Sequence, residues 1–328
     1  MKHQILRRLG LAAITAIATA GTFAHAQDYP NKAVTIVVPF AAGGPTDTVA
    51  RLVAQSMTTN LKQQIIVENV GGAGGTLGAG RVARAGGDGY TLLLHHIGMS
   101  TAPALYRKLA FDPINDFEPV GLVADVPMTM IAKQALPPKD MKELLPYLKA
   151  NKEKVLYAHA GVGSASHLCG LLFMSTIQTD LTTVPYGGTG PAMTAMLGGE
   201  VDLMCDQTTN TTGQIKGGKV KAYAVTTKAH VPSLKELPTM AESGLPGFEV
   251  AVWHGLYAPK GTPKPVLDKL TAALQTALKD PNVVARLAEL GTEPVPQNRA
   301  TPDALRTHLK AEIDKWSPVI KKAGVYAD

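Results

Sequence analysis

Two short stretches of the chain carry the residue types that hold an anion. Pro39-Phe40-Ala41-Ala42-Gly43-Gly44-Pro45-Thr46-Asp47 follows the β-branched run Val34–Val38 and precedes Val49, Leu52, Val53 and Met57, which are spaced as one apolar helix face. A strand therefore enters a Gly-rich turn, and the turn opens a helix. The first N–H groups of a helix have no partner within it, and its dipole favours negative charge at that end. Gly43 and Gly44 present no Cβ to keep a ligand away from the main chain. Thr46 or Asp47 is the expected helix cap. The design returns at Gly161-Val162-Gly163-Ser164-Ala165-Ser166-His167, between the strand Val155–Tyr157 and a helix bearing Leu168, Leu171 and Leu172. Gly163 and Ala165 offer main-chain donors there, and Ser164 and Ser166 add hydroxyls. Neither stretch contains Lys or Arg, so a bound charge has to be met by N–H groups and dipoles. Two such helix starts, one in each half of the chain, facing across a cleft, would suit a small anion.

Other chemistries fit the same residues less well. Ser164 or Ser166 beside His167 suggests a hydrolase, but a nucleophile elbow is Gly-x-Ser-x-Gly, and Ser166 stands where the second glycine belongs. Gly71-Gly72-Ala73-Gly74-Gly75, with Gly78 and Gly80, resembles a dinucleotide loop. The acid that such a site needs is missing from a strand end, because Asp88 falls in a Gly86–Gly89 turn. Close packing of helix on sheet is the expected use of those glycines. His95 and His96 end a strand (Thr91–Leu94) and point to opposite faces, and His96, nearer the loop, is the candidate for a pocket. Asp206-Gln207-Thr208-Thr209-Asn210 reads as a polar loop at a strand end, with Gln207 and Thr208 as possible contacts. No spacing suits a metal or a cofactor, and none is expected. Cys169 and Cys205 lie in apolar surroundings where a free thiol is common, although an oxidising compartment would also permit a bridge.

The elements that must position these residues alternate strand and helix from residue 27 onward, which reads as an α/β fold. Extended segments on either side of Pro127 look like chain passing from one lobe to another. In the last third, Thr262-Pro263, Asp280-Pro281 and Thr301-Pro302 each pair a cap with Pro at the first helical position, and Pro318 is expected to kink or end the final helix. At the N-terminus, Lys2, Arg7 and Arg8 precede an apolar run and then Ala24-His25-Ala26, the pattern of a secretory signal peptide cleaved before Gln27. Its removal would leave 302 of 328 residues and lower the formal charge from +6 to +3 by taking three basic residues. No basic cluster with interleaved aromatics remains, which speaks against nucleic acid as a partner.

Tyr29-Pro-Asn-Lys32, Ile36-Val-Val-Pro-Phe40 with Gly43, Gly44 and Asp47, Val67-Glu-Asn69, Gly72-Ala-Gly-Gly75, Asp88-Gly-Tyr-Thr91 and Tyr106 resemble the Bug family, the substrate-binding proteins of tripartite tricarboxylate transporters. The resemblance continues in order through Gly163-Ser164, His167-Leu168, Val184-Pro-Tyr186, Leu197-Gly-Gly199, Val201-Asp-Leu203, Leu237-Pro-Thr239, Gly244-Leu-Pro-Gly247 and Pro259-Lys-Gly-Thr-Pro263. It implies a periplasmic binding protein of the type II-like, two-lobed kind, with lobe 1 formed by 27–125 and 249–328 and lobe 2 by 126–248. The ligand would be a small carboxylate in the inter-lobe cleft, held by main chain and water at the loops Phe40–Asp47 and Gly161–His167. Implied contacts are Phe40, Gly43, Gly44, Thr46, Asp47, His96, Gly163, Ser164, Ala165, Ser166, Tyr186, Gln207 and Thr208. Implied partners are the membrane subunits of such a transporter, with a membrane sensor kinase as an alternative and a secreted serine hydrolase as the enzymatic one. The family spans di- and tricarboxylates, acidic amino acids, nicotinate-like acids and aromatic acids. No pocket carboxylate in the sequence demands an amino group, which favours a plain dicarboxylate, aliphatic or aromatic. The segment Asp206–Asn210 and Cys205 depart from the family pattern and bear on that choice.

Overall fold

The computed structural model describes residues 29–327, so the expected signal segment lies outside the described residues. The first part of the chain is wound as strand–helix units. β1 (Val34–Val38) leads to α1 (Pro45–Leu61), β2 (Ile65–Asn69) to α2 (Thr76–Ala83), and β3 (Thr91–His96) to α3 (Gly98–Leu105). β1 pairs in parallel with β2 on one side and β3 on the other. α1 shows why the pattern works. Val49, Ala50, Val53, Ala54 and Met57 are buried along one face, and Pro45 fills the first helical position, where a missing N–H costs nothing. The cap itself is Gly44, with no side-chain cap bond, so Thr46 and Asp47 belong to the first turn and do not cap it.

β4 (Phe117–Lys133) is 17 residues long and serves two sheets. Its first half pairs with β9 (Ala251–Pro259), as far as Pro127 opposite Ala251, and with β10 (Glu293–Pro294). β9 in turn lies antiparallel to β3. From Met128 onward β4 pairs with β7 (Leu203–Gln207) and β8 (Val220–Val225). β5 (Leu156–His159) lies parallel to both β6 (Thr182–Pro185) and β7. The change of partner at Pro127 is chemically apt, because proline donates no ladder hydrogen bond. The return path, between β8 and β9, runs beside the same point. Thr226 N–H donates to Met128 O (2.9 Å), Val250 N–H donates to Thr226 O (3.1 Å), and the buried Thr226 hydroxyl bonds both strands again. Both crossings are thus stitched together at one residue.

The remaining helices are α4 (Met141–Ala150), α5 (Ala165–Ile177), α6 (Thr189–Leu197), α7 (Thr208–Lys216), α8 (Lys264–Ala277), α9 (Pro281–Glu289) and α10 (Pro302–Ala323). Asp280 and Thr301 cap α9 and α10 as expected. Thr262 does not cap α8: Pro263 occupies that position, and the Thr262 hydroxyl donates to Pro259 O. Pro318 does not end α10, which continues to Ala323 because Trp316 and Ile320 on either side are anchored in the core. The polar stretch after β7 is no loop either. α7 begins at Thr208 directly after the strand. Its Thr-Thr-Asn-Thr-Thr run has weak helix propensity, and packing overrides it.

Cys169 in α5 and Cys205 in β7 are both fully buried and form a disulfide, which resolves the alternative that composition left open. The bridge closes a loop of 36 residues. Such a constraint on the unfolded chain is worth roughly 3–4 kcal/mol. The double variant Cys169→Ala/Cys205→Ala should lose about that much stability in guanidinium unfolding. A loss below about 0.5 kcal/mol would mean that the bridge does not restrain the unfolded chain as that model requires.

Candidate ligand-binding site

Four helix starts and one strand end converge on a cavity between the two sheets. α1 contributes Gly44, Pro45 and Thr46, and α5 contributes Ser164, Ala165 and Ser166. α6 contributes Thr189, the end of β7 contributes Asp206 and Gln207 (the cap of α7), and Phe40, His96 and Ala160 complete the wall. Among the described residues, no Lys or Arg lines it. Donors come instead from the main chain: the first-turn N–H groups of Thr46, Ala165 and Ser166 have no intrahelical acceptor. The cavity is nearly shut, offering the centre of a water molecule only about 10 Å³, against the roughly 10–15 Å³ that one water needs.

Glycine-lined main chain closes the rim. Ala41 N–H donates to Gly187 O across the cleft at 3.0 Å. A Cβ built on Gly74 would sit 1.9 Å from Val162 O, and one on Gly190 would stand 3.0 Å from Ala42 O. The use of Gly74 is therefore backbone contact across the cleft, whereas Gly78, against Pro39 and Val70, does serve helix-on-sheet packing. The Tyr106 hydroxyl reaches the carbonyls of both Ala73 and Val162, and Thr101 donates to Gly163 O at 3.2 Å.

Of the residues named from the sequence, Phe40, Gly44, Thr46, His96, Ser164, Ala165, Ser166 and Gln207 line the cavity together. The others are placed elsewhere. Asp47 is turned toward Gly43 N–H, Arg51 and Asn69, and these partners outweigh burial and hold its carboxyl below the usual range. Gly43 is committed to Asp47, and Gly163 N–H donates to His167 Nδ1. Tyr186 is half-buried outside the wall, and the Thr208 hydroxyl donates to Gly291 O. Pro45, Ala160, Thr189 and Asp206 also line the cavity, although the sequence did not single them out as contacts. Thr189 had a legible signal, since Gly187-Gly188-Thr189-Gly190 repeats the strand–glycine–helix pattern of the two stretches that were recognised.

The histidines around the cavity share one device. His95, His96, His159 and His167 each accept a main-chain N–H at Nδ1, which leaves the neutral ring with its proton on Nε2. His96 stacks on Phe40, with ring centroids 4.6 Å apart, and is a neutral N–H donor in the cavity wall. His254 approaches the Thr46 hydroxyl at 3.3 Å through Nε2. Burial pushes His95 and His167 down to about 3 and His254 to about 4, and it lowers His96 and His159 as well. Asp206 shows the opposite shift, raised to about 6 by burial against the opposing hydrogen bond from Asn210 Nδ2 (2.6 Å). The Gln207 N–H and the Thr189 hydroxyl also lie near enough to lower that carboxyl, although neither meets hydrogen-bond geometry at Oδ1. Asp206 Oδ1, Gln207 Oε1 and Thr189 Oγ1 are all buried without a partner.

Residues 49–325 match the family described as "Tripartite tricarboxylate transporter family receptor". The UPF0065 protein in the TAR-I ttuE-ttuC' intergenic region of Agrobacterium vitis is 56% identical over 302 residues, covering 92% of this chain and 87% of that one. The structure of periplasmic binding protein BugD is similar with a TM-score of 0.89 at 55% identity, over 91% of this chain and 99% of that one. MatC from Rhodopseudomonas palustris, solved with bound malate, gives a TM-score of 0.86 at 45% identity, over 89% and 100% of the two chains.

The buried imidazoles set an acid limit on stability. Their folded pKa values lie below the unfolded value of about 6.5, so the unfolded chain takes up protons first as pH falls from about 6.5 toward 4, and stability is lost in that window. Asp206 works against this, because its folded value lies above its unfolded one and it favours the fold as pH drops below about 6. One carboxyl opposes five rings. Urea unfolding should therefore show a loss of several kcal/mol between about pH 8 and about pH 5. An equal or higher midpoint at the lower pH would mean that these rings are charged or solvated in the native protein.

Proposed function

Because this chain belongs to the tripartite tricarboxylate transporter receptor family, we propose that its cavity closes on a small dicarboxylate outside the cytoplasm and presents it to the membrane subunits of such a transporter. The observation that carries this reading is the convergence of four helix starts on a cavity without a basic side chain. An exposed helix start favours an anion by about 0.3–1 kcal/mol and a partly buried one by up to about 2. Several of them, with the N–H groups of Thr46, Ala165 and Ser166, the Nε2–H of His96 and the hydroxyls of Thr46 and Ser164, make an anion site from neutral donors. That MatC binds malate supports a compact diacid as the ligand class.

On this reading the ligand lies between a lobe of residues 27–125 and 249–328 and a lobe of residues 126–248, reached by export through the N-terminal signal segment. The protein acts by binding and not by turnover. The Ser166 hydroxyl accepts Ala160 N–H (2.9 Å) and pairs with Ser164 (3.1 Å), while His167 Nδ1 is occupied by Gly163 N–H. These are the bonds of a rigid helix start and not those of a serine poised beside a base. A cavity this tight must open for a diacid to enter, and a ligand touching both walls then favours the closed state.

Calorimetry and thermal shift with a panel of diacids test the reading. Stoichiometric binding should stabilise the protein by about 2.7 kcal/mol at a hundredfold excess over Kd, with no product formed. Gly44→Val should weaken binding more than Ser166→Ala. A Cβ at residue 44 stands 3.5 Å from Gly190 N on the opposite wall, so the larger side chain wedges the cleft while the opened fold tolerates it. Near-native affinity in folded Gly44→Val would place the carboxylate elsewhere. Small-angle scattering should also show compaction on saturation of a protein that is open when free, and expansion would count against closure.

A further inference from the structure

Among the residues lining the cavity, Asp206 alone carries a charge, and it has the sign of the ligand. Its carboxyl is 1% exposed. Oδ2 is held by Asn210 Nδ2, whose amide also reaches Thr189 O (3.4 Å) and so has nothing left to give. Oδ1 has no partner at hydrogen-bond geometry, with Gln207 N–H and the Thr189 hydroxyl only near it, and the Oε1 of the adjacent Gln207 has none either. A buried acceptor left empty costs more than a paired one gains, and more so when it carries charge. The titratable groups nearby do not relieve it. Tyr157 on β5 spends its hydroxyl proton on Ser166 O and accepts Cys205 N–H, and His96 on the far wall is neutral. The position is rigid, since the Cys169–Cys205 bridge ties the residue before Asp206 to α5, where the anion donors are.

We propose that Asp206, with Gln207 and Thr189, seats an ammonium group of the ligand, so that the acid this chain selects is an amino dicarboxylate. The inference rests on the dicarboxylate reading above and narrows it. Carboxylates meet the helix starts, and the amine meets the one acidic side chain in the wall. An unsubstituted diacid would leave Oδ1 unpaired, or would have to bring a proton to it.

Matched pairs of four, five and six carbons distinguish these possibilities in calorimetry on the exported form: aspartate and succinate, glutamate and glutarate, 2-aminoadipate and adipate. At about pH 8 the amino acid of the best pair should bind at least roughly tenfold tighter than its plain partner, and Asp206→Asn should erase or reverse that ratio. Near pH 6, where the carboxyl is partly protonated, binding the amino acid should release protons, whereas binding a plain diacid should take them up. This is a readout that a merely structural role for Asp206 would not move. Equal or tighter binding of the plain diacid by the unaltered protein overturns the inference while leaving the receptor reading intact, even if Asp206→Asn does not fold. Failure of all six acids to bind overturns both.

Discussion

Two sheets share one strand, and the rest of the molecule depends on that sharing. β4 gives its first half to β9 and β10 and its second half to β7 and β8, so the hydrogen-bond ladders of both sheets run through the same main chain. The break comes at Pro127, the residue that can donate to neither ladder. Thr226 ties the returning strand to it there, and Arg299 pairs with Asp125 just before it. Two crossings join the sheets at this point, and each sheet's ladder is complete on its own side of them. On the proposed reading this is where a cleft would open without unfolding either sheet.

The cleft takes its chemistry from the ends of these sheets. Strands that run into helices at one edge leave helix N-termini pointing into the crevice, which is where open α/β sheets place ligands. On the proposed reading the device needs no cation, because its donors are enclosed and pre-aligned. Fixed N–H dipoles in a low-dielectric crevice gain more from an anion than they would in water, and they need not be reorganised. The surrounding histidines follow the same logic. Main-chain N–H groups at Nδ1 and deep burial keep His96 neutral, so it donates a proton on Nε2 without bringing a charge that must itself be desolvated. Backbone approaches such as Gly74 to Val162 and Gly190 to Ala42 then let the walls meet closely enough to exclude bulk water.

Much of this was legible in order along the chain. The strand–glycine–helix stretches at Gly43–Thr46 and Gly163–Ser166, the extended passage around Pro127 and the caps of α9 and α10 depend on neighbours a few residues away, and local rules of steric freedom and hydrogen bonding decide them. Composition alone indicated a site without a basic residue in those two stretches. Other features are set by residues far apart in sequence. The polar run from Thr208 becomes a helix because packing outweighs its propensity, and the pairing of β7 with β4 puts Asp206 into the wall. Asp47, acidic and next to the glycines, is drawn away by Arg51 and Asn69. Thr208 is claimed by Gly291 from the far end of the chain.

The sequence by itself therefore determined an α/β chain with anion-friendly helix starts, because a residue's conformational limits and the orphan N–H groups of a helix end are local properties. Only the tertiary structure decided which starts face one another, whether Cys169 meets Cys205, and that a carboxylate stands unpaired among donors meant for an anion. Those facts depend on how strands separated by a hundred residues align on β4. Burial then sets the charge of that aspartate apart from an ordinary one, because the free energy of a charge depends on what surrounds it and not on its place in the chain.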